Sequence, residues 1–288
     1  MSGLEQFEIT NKEKDMKKNP RHPTFNPRHS FGWIPDLPDK RDYMFAVPLH
    51  VAGKLPAAVD LRVACPPIYD QGQLGSCTAN AIAAAHQFEQ LKQLPSLLPH
   101  SAFRVPPSAF LPSRLFIYYN ERALEGTIGT DSGAQIRDGI KSIAKQGVCT
   151  EDAWPYDITQ FKTKPRPGCY TAALDHQALT YYRVGQSLVI TKGCLAAGYP
   201  FVFGFSVYES FESGAVAKTG KVPMPGPSES LLGGHAVLAV GYDDKSRRFV
   251  VRNSWGTTWG QKGYFTIPYD YLTDSDLASD FWTIRQVE

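Results

Sequence analysis

The residues best suited to chemistry begin with one cysteine at the predicted start of a helix. Cys77 closes the segment 71–77 (QGQLGSC), and the stretch 78–93 that follows is rich in Ala and Gln, lacks Gly and Pro, and predicts a helix. Unpaired N–H groups at a helix N-terminus stabilise a thiolate, which is the nucleophilic form of cysteine. A cysteine at a helix start is nevertheless more often structural, so Cys77 alone does not define a reaction.

A base and a group that could orient it are found in the second half of the chain. His235 stands near the start of the segment 233–242 (GGHAVLAVGY), and Asn253 follows the apolar run 249–251 after a polar turn. A strand, a polar turn and a returning strand predict an antiparallel hairpin, which brings both residues to the same edge of a sheet. An asparagine beside a histidine can fix the orientation of the imidazole by a hydrogen bond to one ring nitrogen. The other ring nitrogen is then free to face a thiol.

The elements that must position these residues fall into a helical first half and a stranded second half, which favours an α+β fold with two lobes. Helices are predicted over 78–93, 115–123 and 135–146, the last ending at Gly147 as a C-cap. Strands are predicted over 201–207, 236–240, 248–251 and 264–267, and a loop rich in Pro, Gly and Ser over 217–234.

Three blocks of the sequence resemble the signature motifs of the papain-like cysteine peptidases. They read QGQLGSC, GGHAVLAVGYDD and NSWGTTWGQKGYFTI, occur in the family's order, and span the chain from about Pro56 to its end. The third block is highly specific, and the segment 147–156 (GVCTEDAWPY) resembles a further family stretch. The resemblance implies a papain-like two-lobed α+β fold, with a helical left lobe, an antiparallel β-barrel right lobe and the active-site cleft between them.

Carried over position by position, the resemblance implies a Cys-His-Asn peptidase without a cofactor or metal. Cys77 is the implied nucleophile, and His235 is the base that later acts as the acid. Asn253 would orient His235. Gln71 would offer its side-chain amide to the oxyanion, beside the backbone N–H of Cys77.

The resemblance also implies three residues around the substrate. Gly133 would pair its backbone with an extended peptide, which would add to the cleft as a short strand. Gly234 would lie beside the same peptide, immediately before the implied base. Trp255 would shield the contact between that base and its asparagine from water, although simple core packing explains a tryptophan there equally well.

Two departures from the family pattern lie beside the implied nucleophile. Leu74 stands where secreted relatives have a disulfide cysteine, and Thr78 stands where the family has a large aromatic residue, so we expect a less cross-linked and more open cleft. The loop with paired histidines that marks exopeptidases of the family is not found between Cys77 and Cys149, which favours an endopeptidase. The alternatives are a transferase-type relative and a non-catalytic relative on the same scaffold.

Residues 1–55 differ from the rest in being rich in Pro, Lys, Arg, His and Asp, with one apolar island at 31–38 (FGWIPDLP). Composition alone favours a solvated tail. We expect instead a regulatory, propeptide-like segment anchored by Trp33, Ile34 and Leu37, which lies in or beside the cleft and limits access. The predicted division is therefore an N-terminal segment (1–55), a mainly helical lobe with the nucleophile (56–178) and a mainly β lobe with the histidine and asparagine (179–288).

Bulk composition adds few constraints. The chain of 288 residues has a formal net charge of +2 and is 42% hydrophobic, so protein or peptide substrates are expected as partners and neither nucleic acid nor membrane is. The sequence lacks a membrane-length apolar stretch and a secretory leader, which predicts a cytoplasmic protein or export by a leaderless route, and this compact layout resembles bacterial members of the family. The pairing of four cysteines stays open: Cys65, Cys149, Cys169 and Cys194.

Overall fold

The computed structural model describes residues 29–93 and 110–288, so the first 28 residues of the predicted N-terminal segment lie outside the described part. The helices are α1 (Leu49–Ala52), α2 (Cys77–Gln93), α3 (Arg114–Glu125), α4 (Ile136–Gln146), α5 (Pro167–Ala173), α6 (Leu188–Ala196), α7 (Gly214–Thr219) and α8 (Tyr269–Thr273). The strands are β1 (Trp33–Ile34), β2 (Ala58–Asp60), β3 (Ala134–Gln135), β4 (Ala178–Arg183), β5 (Phe201–Tyr208), β6 (Leu231–Asp243), β7 (Arg248–Arg252), β8 (Tyr264–Pro268) and β9 (Ala278–Val287).

Helix α2 is the central helix of the molecule. Every residue from Cys77 to Glu89 is buried. Because the helix is covered on all sides, it has no solvent-exposed face, and its sequence therefore shows no polar stripe. Helices α3 and α4 pack against it. The three helices predicted from the sequence are confirmed, with ends that differ by one or two residues.

Local signals account for where two of these helices begin and end. The hydroxyl of Ser113 accepts the N–H of Phe116 at 3.1 Å and caps the start of α3. Gly126 ends that helix in the left-handed region, with φ of 72°. Gly147 ends α4, where its N–H donates to the carbonyl of Ile143.

A seven-stranded sheet forms the second half of the molecule. Its order is β4-β9-β5-β6-β7-β8, every neighbouring pair is antiparallel, and β2 adds to β6. Because side chains alternate between the two faces of a strand, β5 contributes to two cores. Val202 packs towards α2, whereas Phe201, Phe203 and Phe205 fill an aromatic core on the other face.

Two parts of the sheet differ from the sequence prediction. Strands β4 and β9 were not predicted, since they are held by pairing over a long chain distance rather than by a strong local pattern. The loop predicted over 217–234 is shorter in the structure, because α7 continues to Thr219 and β6 already starts at Leu231. The early start of β6 follows from its pairing with β5, where Gly233 lies opposite Val207.

All five cysteines are thiols in this structure, so none of the open disulfide pairings is formed. Within residues 29–93 and 110–288, no helix combines the length and apolar character needed to cross a membrane.

The close approach of β2 to β6 makes Gly241 a sensitive position. A Cβ built on Gly241 would lie 2.3 Å from the carbonyl oxygen of Val59, and a backbone atom in a paired strand cannot move aside cheaply. We expect Gly241→Ala to lower the free energy of unfolding in urea by about 1–3 kcal/mol.

Gly129→Ala is the matched control, because a Cβ on Gly129 has no described atom within 4 Å. We expect that control to leave the urea midpoint unchanged. Equal midpoints for the two variants would contradict the close approach of β2.

Candidate active site

The hairpin of β6 and β7 positions the predicted base and its orienting amide. Leu238 lies opposite Arg252, so His235 on β6 and Asn253 just after β7 come to the same edge. Nε2 of His235 lies 2.8 Å from Oδ1 of Asn253, and both side chains are buried. An amide oxygen only accepts, so Nε2 carries the proton and Nδ1 is left as the basic nitrogen. No described residue offers Nδ1 a hydrogen-bond partner.

The predicted nucleophile lies against the strand that carries the histidine. Cys77 is the first residue of α2 and is fully buried. Its Sγ accepts the backbone N–H of Ala236 at 3.4 Å, and Ala236 follows His235 directly. The site therefore joins the N-terminus of a helix from one half of the fold to a strand of the other half.

Burial favours the neutral forms of the Cys77 thiol and the His235 imidazole in this arrangement. It raises the pKa of the Cys77 thiol to about 12, opposed by the N–H groups of Ala236, Gly32 and Thr78. Burial also lowers the pKa of His235 to about 4, opposed by the hydrogen bond to Asn253. A raised thiol pKa and a lowered imidazole pKa both disfavour the thiolate–imidazolium pair.

The side-chain amide of Gln71 is fully buried and held at both ends. Its Oε1 accepts the hydroxyl of Ser254 at 2.6 Å. Its Nε2 donates to the carbonyl of Leu74 at 2.9 Å and to the carbonyl of Ser30 at 3.2 Å. Ser254 thus fixes which way the amide faces, a role that the sequence reasoning missed although Ser254 lies within the third signature block.

Trp255 covers the histidine. Its ring centroid lies 4.8 Å from that of His235 with the two planes 27° apart, and it forms T-shaped contacts with Phe211 and Trp259. The ring therefore packs in the aromatic core and covers the His235 ring at the same time.

The chain's own residues 29–36 occupy the space in front of these groups. Gly32 donates its N–H to the carbonyl of Gly234 at 3.1 Å and accepts the N–H of Ala134 at 2.8 Å. Strand β1 pairs with β3 in parallel at this place. Gly133 has φ of 74°, and a Cβ built on it would lie 2.1 Å from the carbonyl oxygen of Gly32. The two predicted substrate-binding glycines are thus in contact with this segment.

Side chains of the segment add three further contacts. His29 stacks on Trp255 with ring centroids 3.8 Å apart, and its Nδ1 lies 3.0 Å from Glu212. The rings of Phe31 and His235 form a T-shaped contact, with their centroids 6.3 Å apart. Phe31 thus contributes to the burial of His235, which lowers the pKa of that imidazole.

A buried acidic residue anchors the segment beyond the cleft. Asp36 accepts the N–H of Arg137 at 3.0 Å and Nε1 of Trp282 at 2.9 Å. Burial, together with the charge of Asp280, raises its pKa to about 6. Of the three anchors predicted from the sequence, Trp33, Ile34 and Leu37, the last was wrong, because Leu37 is 72% exposed. An aspartate between two prolines in an apolar island was the available signal.

Comparison with known proteins gives the class. The profile of the papain family cysteine proteases matches residues 120–282. The chain belongs to this family and is a hydrolase. The matched region includes His235 and Asn253 and begins after Gln71 and Cys77.

Individual relatives agree with that assignment. The chain resembles xylellain, a cysteine protease from Xylella fastidiosa, at 44% identity and a TM-score of 0.80, over 93% of this chain and 100% of that chain. It is 45% identical over 282 residues to a peptidase C1-like protein of Acanthamoeba polyphaga mimivirus, which covers 90% of this chain and 87% of the relative. Procathepsin L 3 of Tenebrio molitor shares the fold alone, at 18% identity and a TM-score of 0.61 over 84% and 73% of the two chains. The predicted papain-like α+β fold and the bacterial resemblance are confirmed.

Reactivity of Cys77 tests the neutral, covered state. We expect iodoacetamide to label Cys77 slowly at pH 7.5, because a pKa of about 12 leaves almost no thiolate. The double variant His29→Ala, Phe31→Ala removes two of the covering rings, so labelling should be at least about a hundredfold faster, measured by mass spectrometry of the Cys77 peptide.

Leu37→Ala is the control within the same segment, since Leu37 points to solvent. Labelling of Cys77 in the unchanged chain at the rate of an exposed thiol would show that the cover does not exist in solution.

Proposed function

We propose that this chain is a cysteine endopeptidase that uses Cys77 and His235 in a thiolate–imidazolium mechanism, and that its N-terminal segment limits access to them. One observation carries the proposal. The amide of Asn253 engages Nε2 of His235, which leaves Nδ1 unpartnered while Cys77 Sγ is held by the neighbouring N–H of Ala236.

The proposed reaction begins when the cleft is open to water and substrate. The Cys77 thiol gives its proton to Nδ1 of His235, and the thiolate adds to the carbonyl carbon of the scissile bond. The charge that develops on the carbonyl oxygen is stabilised by the backbone N–H of Cys77 and by Nε2 of Gln71. His235 then protonates the leaving amine, and the C–N bond breaks to give a thioester. Water, deprotonated by the same nitrogen, hydrolyses the thioester and restores the thiol.

Contacts of residues 30–32 support the proposal of limited access. The carbonyl of Ser30 accepts the Gln71 N–H that the oxyanion would need. The N–H of Gly32 is one of the groups that oppose the raised pKa of the Cys77 thiol. The segment therefore occupies polar groups that a substrate would need.

Substitution of the predicted nucleophile tests the mechanism directly. We expect Cys77→Ala, placed in the His29→Ala, Phe31→Ala background, to lower kcat for a fluorogenic peptide by at least about a thousandfold. Gln71→Ala should lower kcat about a hundredfold with little change in KM, because its amide acts on the charge of the transition state.

Cys65→Ala is the matched control, since Cys65 is a half-buried thiol whose pKa is raised to about 11 by burial and which lies outside the site. In the His29→Ala, Phe31→Ala background, an epoxide inhibitor of thiol peptidases should label the chain with and without Cys65→Ala, but it should not label the chain with Cys77→Ala. Peptide cleavage that survives in Cys77→Ala would reject the mechanism.

The anchor at Asp36 gives the proposed latency a pH dependence. Its pKa is about 6 in the docked segment and falls towards the ordinary 3.8 when the segment is released, so the docked state binds a proton more readily. Docking should therefore strengthen as the pH falls from 7 to 4, by up to about a hundredfold. The measurement is the ratio of kcat/KM of the unchanged chain to that of Asp36→Asn at each pH, which cancels the pH profile of catalysis and leaves the contribution of Asp36. A ratio that rises with acid would contradict this anchor.

A further inference from the structure

The loop that leads into Cys77 is tied to an acidic side chain just before strand β3. Gly75, two residues before Cys77, donates its backbone N–H to both carboxylate oxygens of Asp131, at 3.1 Å to Oδ1 and 3.0 Å to Oδ2. Gly75 is buried, whereas Asp131 lies at the surface. All five cysteines are thiols, so no disulfide holds this loop and its position depends on hydrogen bonds such as these.

A buried tyrosine joins the same carboxylate to Gly133. The hydroxyl of Tyr118, on α3, donates to Oδ1 of Asp131 and accepts the N–H of Gly133 at 3.2 Å. Burial, and after it the hydrogen bond to Asp131, raises the pKa of Tyr118, so the hydroxyl keeps its proton and donates it to the carboxylate. An unbroken chain of hydrogen bonds therefore joins Gly75 to Gly133 through two side chains.

The two ends of this chain enclose a single strand of backbone. A Cβ built on Gly32 would lie 1.7 Å from the carbonyl oxygen of Gly75, and one built on Gly133 would lie 2.1 Å from the carbonyl oxygen of Gly32. The docked segment thus passes between the loop of the nucleophile and Gly133 with no room to spare. The space between these two walls is one extended backbone wide, and a substrate that replaces the segment enters the same space.

We propose that Asp131 is a positioning residue of the reaction. With Tyr118 it sets the distance between the loop that carries Cys77 and the wall at Gly133, and so places a bound peptide relative to Sγ. This inference rests on the proposed peptidase function. Attack requires the reacting atoms to lie roughly 3–3.5 Å apart, and a misplacement of about 1 Å can cost about a hundredfold in rate. A carboxylate suits the role because it accepts several donors at once, and such bonds are stronger than those to a neutral acceptor.

Substrates of different length provide the test, with the full chain carrying His29→Ala and Phe31→Ala to open the cleft. The probes are p-nitrophenyl esters of N-blocked alanine and N-blocked trialanine, and the readout is kcat/KM for release of p-nitrophenol. The short ester reaches Cys77 without extending to Gly133, whereas the long ester lies between the two walls. We expect Asp131→Ala to lower kcat/KM about thirtyfold for the trialanine ester and less than about threefold for the alanine ester. Equal losses on both esters, or no loss on either, would overturn the proposal.

Two further substitutions test the chain of hydrogen bonds. Asp131→Asn keeps Oδ1 as an acceptor for both donors, so kcat/KM for the trialanine ester should stay within about fivefold of the background chain. A loss in Asp131→Asn as large as that in Asp131→Ala would show that the charge matters and not the tie, and would reject the proposal.

Tyr118→Phe removes the hydroxyl that connects the carboxylate to Gly133. We expect a loss of about tenfold, again confined to the trialanine ester. Because the two side chains form one tie, Asp131→Ala with Tyr118→Phe should be no worse than Asp131→Ala alone, within about twofold. Losses that multiply in the double variant would contradict a shared tie.

Asp157→Ala is the matched control, since Asp157 is also an exposed aspartate that accepts a backbone N–H, that of Thr159 at 3.0 Å. We expect it to leave kcat/KM for both esters unchanged. The rate at which iodoacetamide labels Cys77 reports on the intact site without a bound peptide, and in Asp131→Ala it should stay within about twofold of the background chain. A collapse of that rate would show that Asp131 maintains the nucleophile itself, which rejects the positioning role.

Failure of this inference is distinguishable from failure of the proposed function. Ester hydrolysis that is lost in Cys77→Ala but shows no dependence on length in Asp131→Ala rejects only the role of Asp131. Hydrolysis that survives in Cys77→Ala rejects the mechanism itself.

Discussion

Packing of α2 against β6 is the constraint on which the rest of this molecule depends. Cys77 belongs to the helical half of the fold and His235 to the sheet, so their relation is set by how these two elements meet. The N–H of Ala236 on Cys77 Sγ, at 3.4 Å, is the point of contact. Burial of α2 on all sides and the central place of β6 between β5 and β7 hold that contact rigidly. The position of Cys77 relative to His235 is thus set by the packing of the buried residues around α2 and β6.

Water access decides the electrostatic state of the same groups. In the covered arrangement the thiol and the imidazole are both neutral, because desolvation outweighs the N–H groups around Cys77 and the amide beside His235. The helix N-terminus and the orienting Asn253 favour charge separation, and removal of residues 29–31 would let them prevail. The neutral state of both groups is therefore a matter of dielectric environment as well as of blocked space.

Local sequence patterns predicted the central helices, the β6–β7 hairpin and the residues that converge at the cleft. They could do so because a helix start, a hairpin and a specific block such as NSWGxxWGxxGYxxI are readable within a few residues. Strands β4 and β9 could not be predicted in this way, and neither could the hydrogen bond from Nε1 of Trp33 to Oδ2 of Asp280. Trp33 and Asp280 are separated by most of the chain, and their hydrogen bond exists only after the sheet has formed.

The error at Leu37 has the same origin. Hydrophobicity suggested an apolar anchor, but Asp36 is the residue that faces inward, where the Arg137 N–H and the Trp282 indole satisfy its carboxylate. Hydrogen bonds that Asp36 completes inside the fold help to hold the segment, and local composition carries no information about such partners.

The absence of a side chain at Gly204 has a consequence for how this protein can change. A Cβ built on Gly204 would lie 1.9 Å from Cε2 of Trp33, so the missing side chain is what admits the chain's own indole. A single methyl group at residue 204 would displace Trp33 and disturb how residues 29–36 lie over Cys77 and His235.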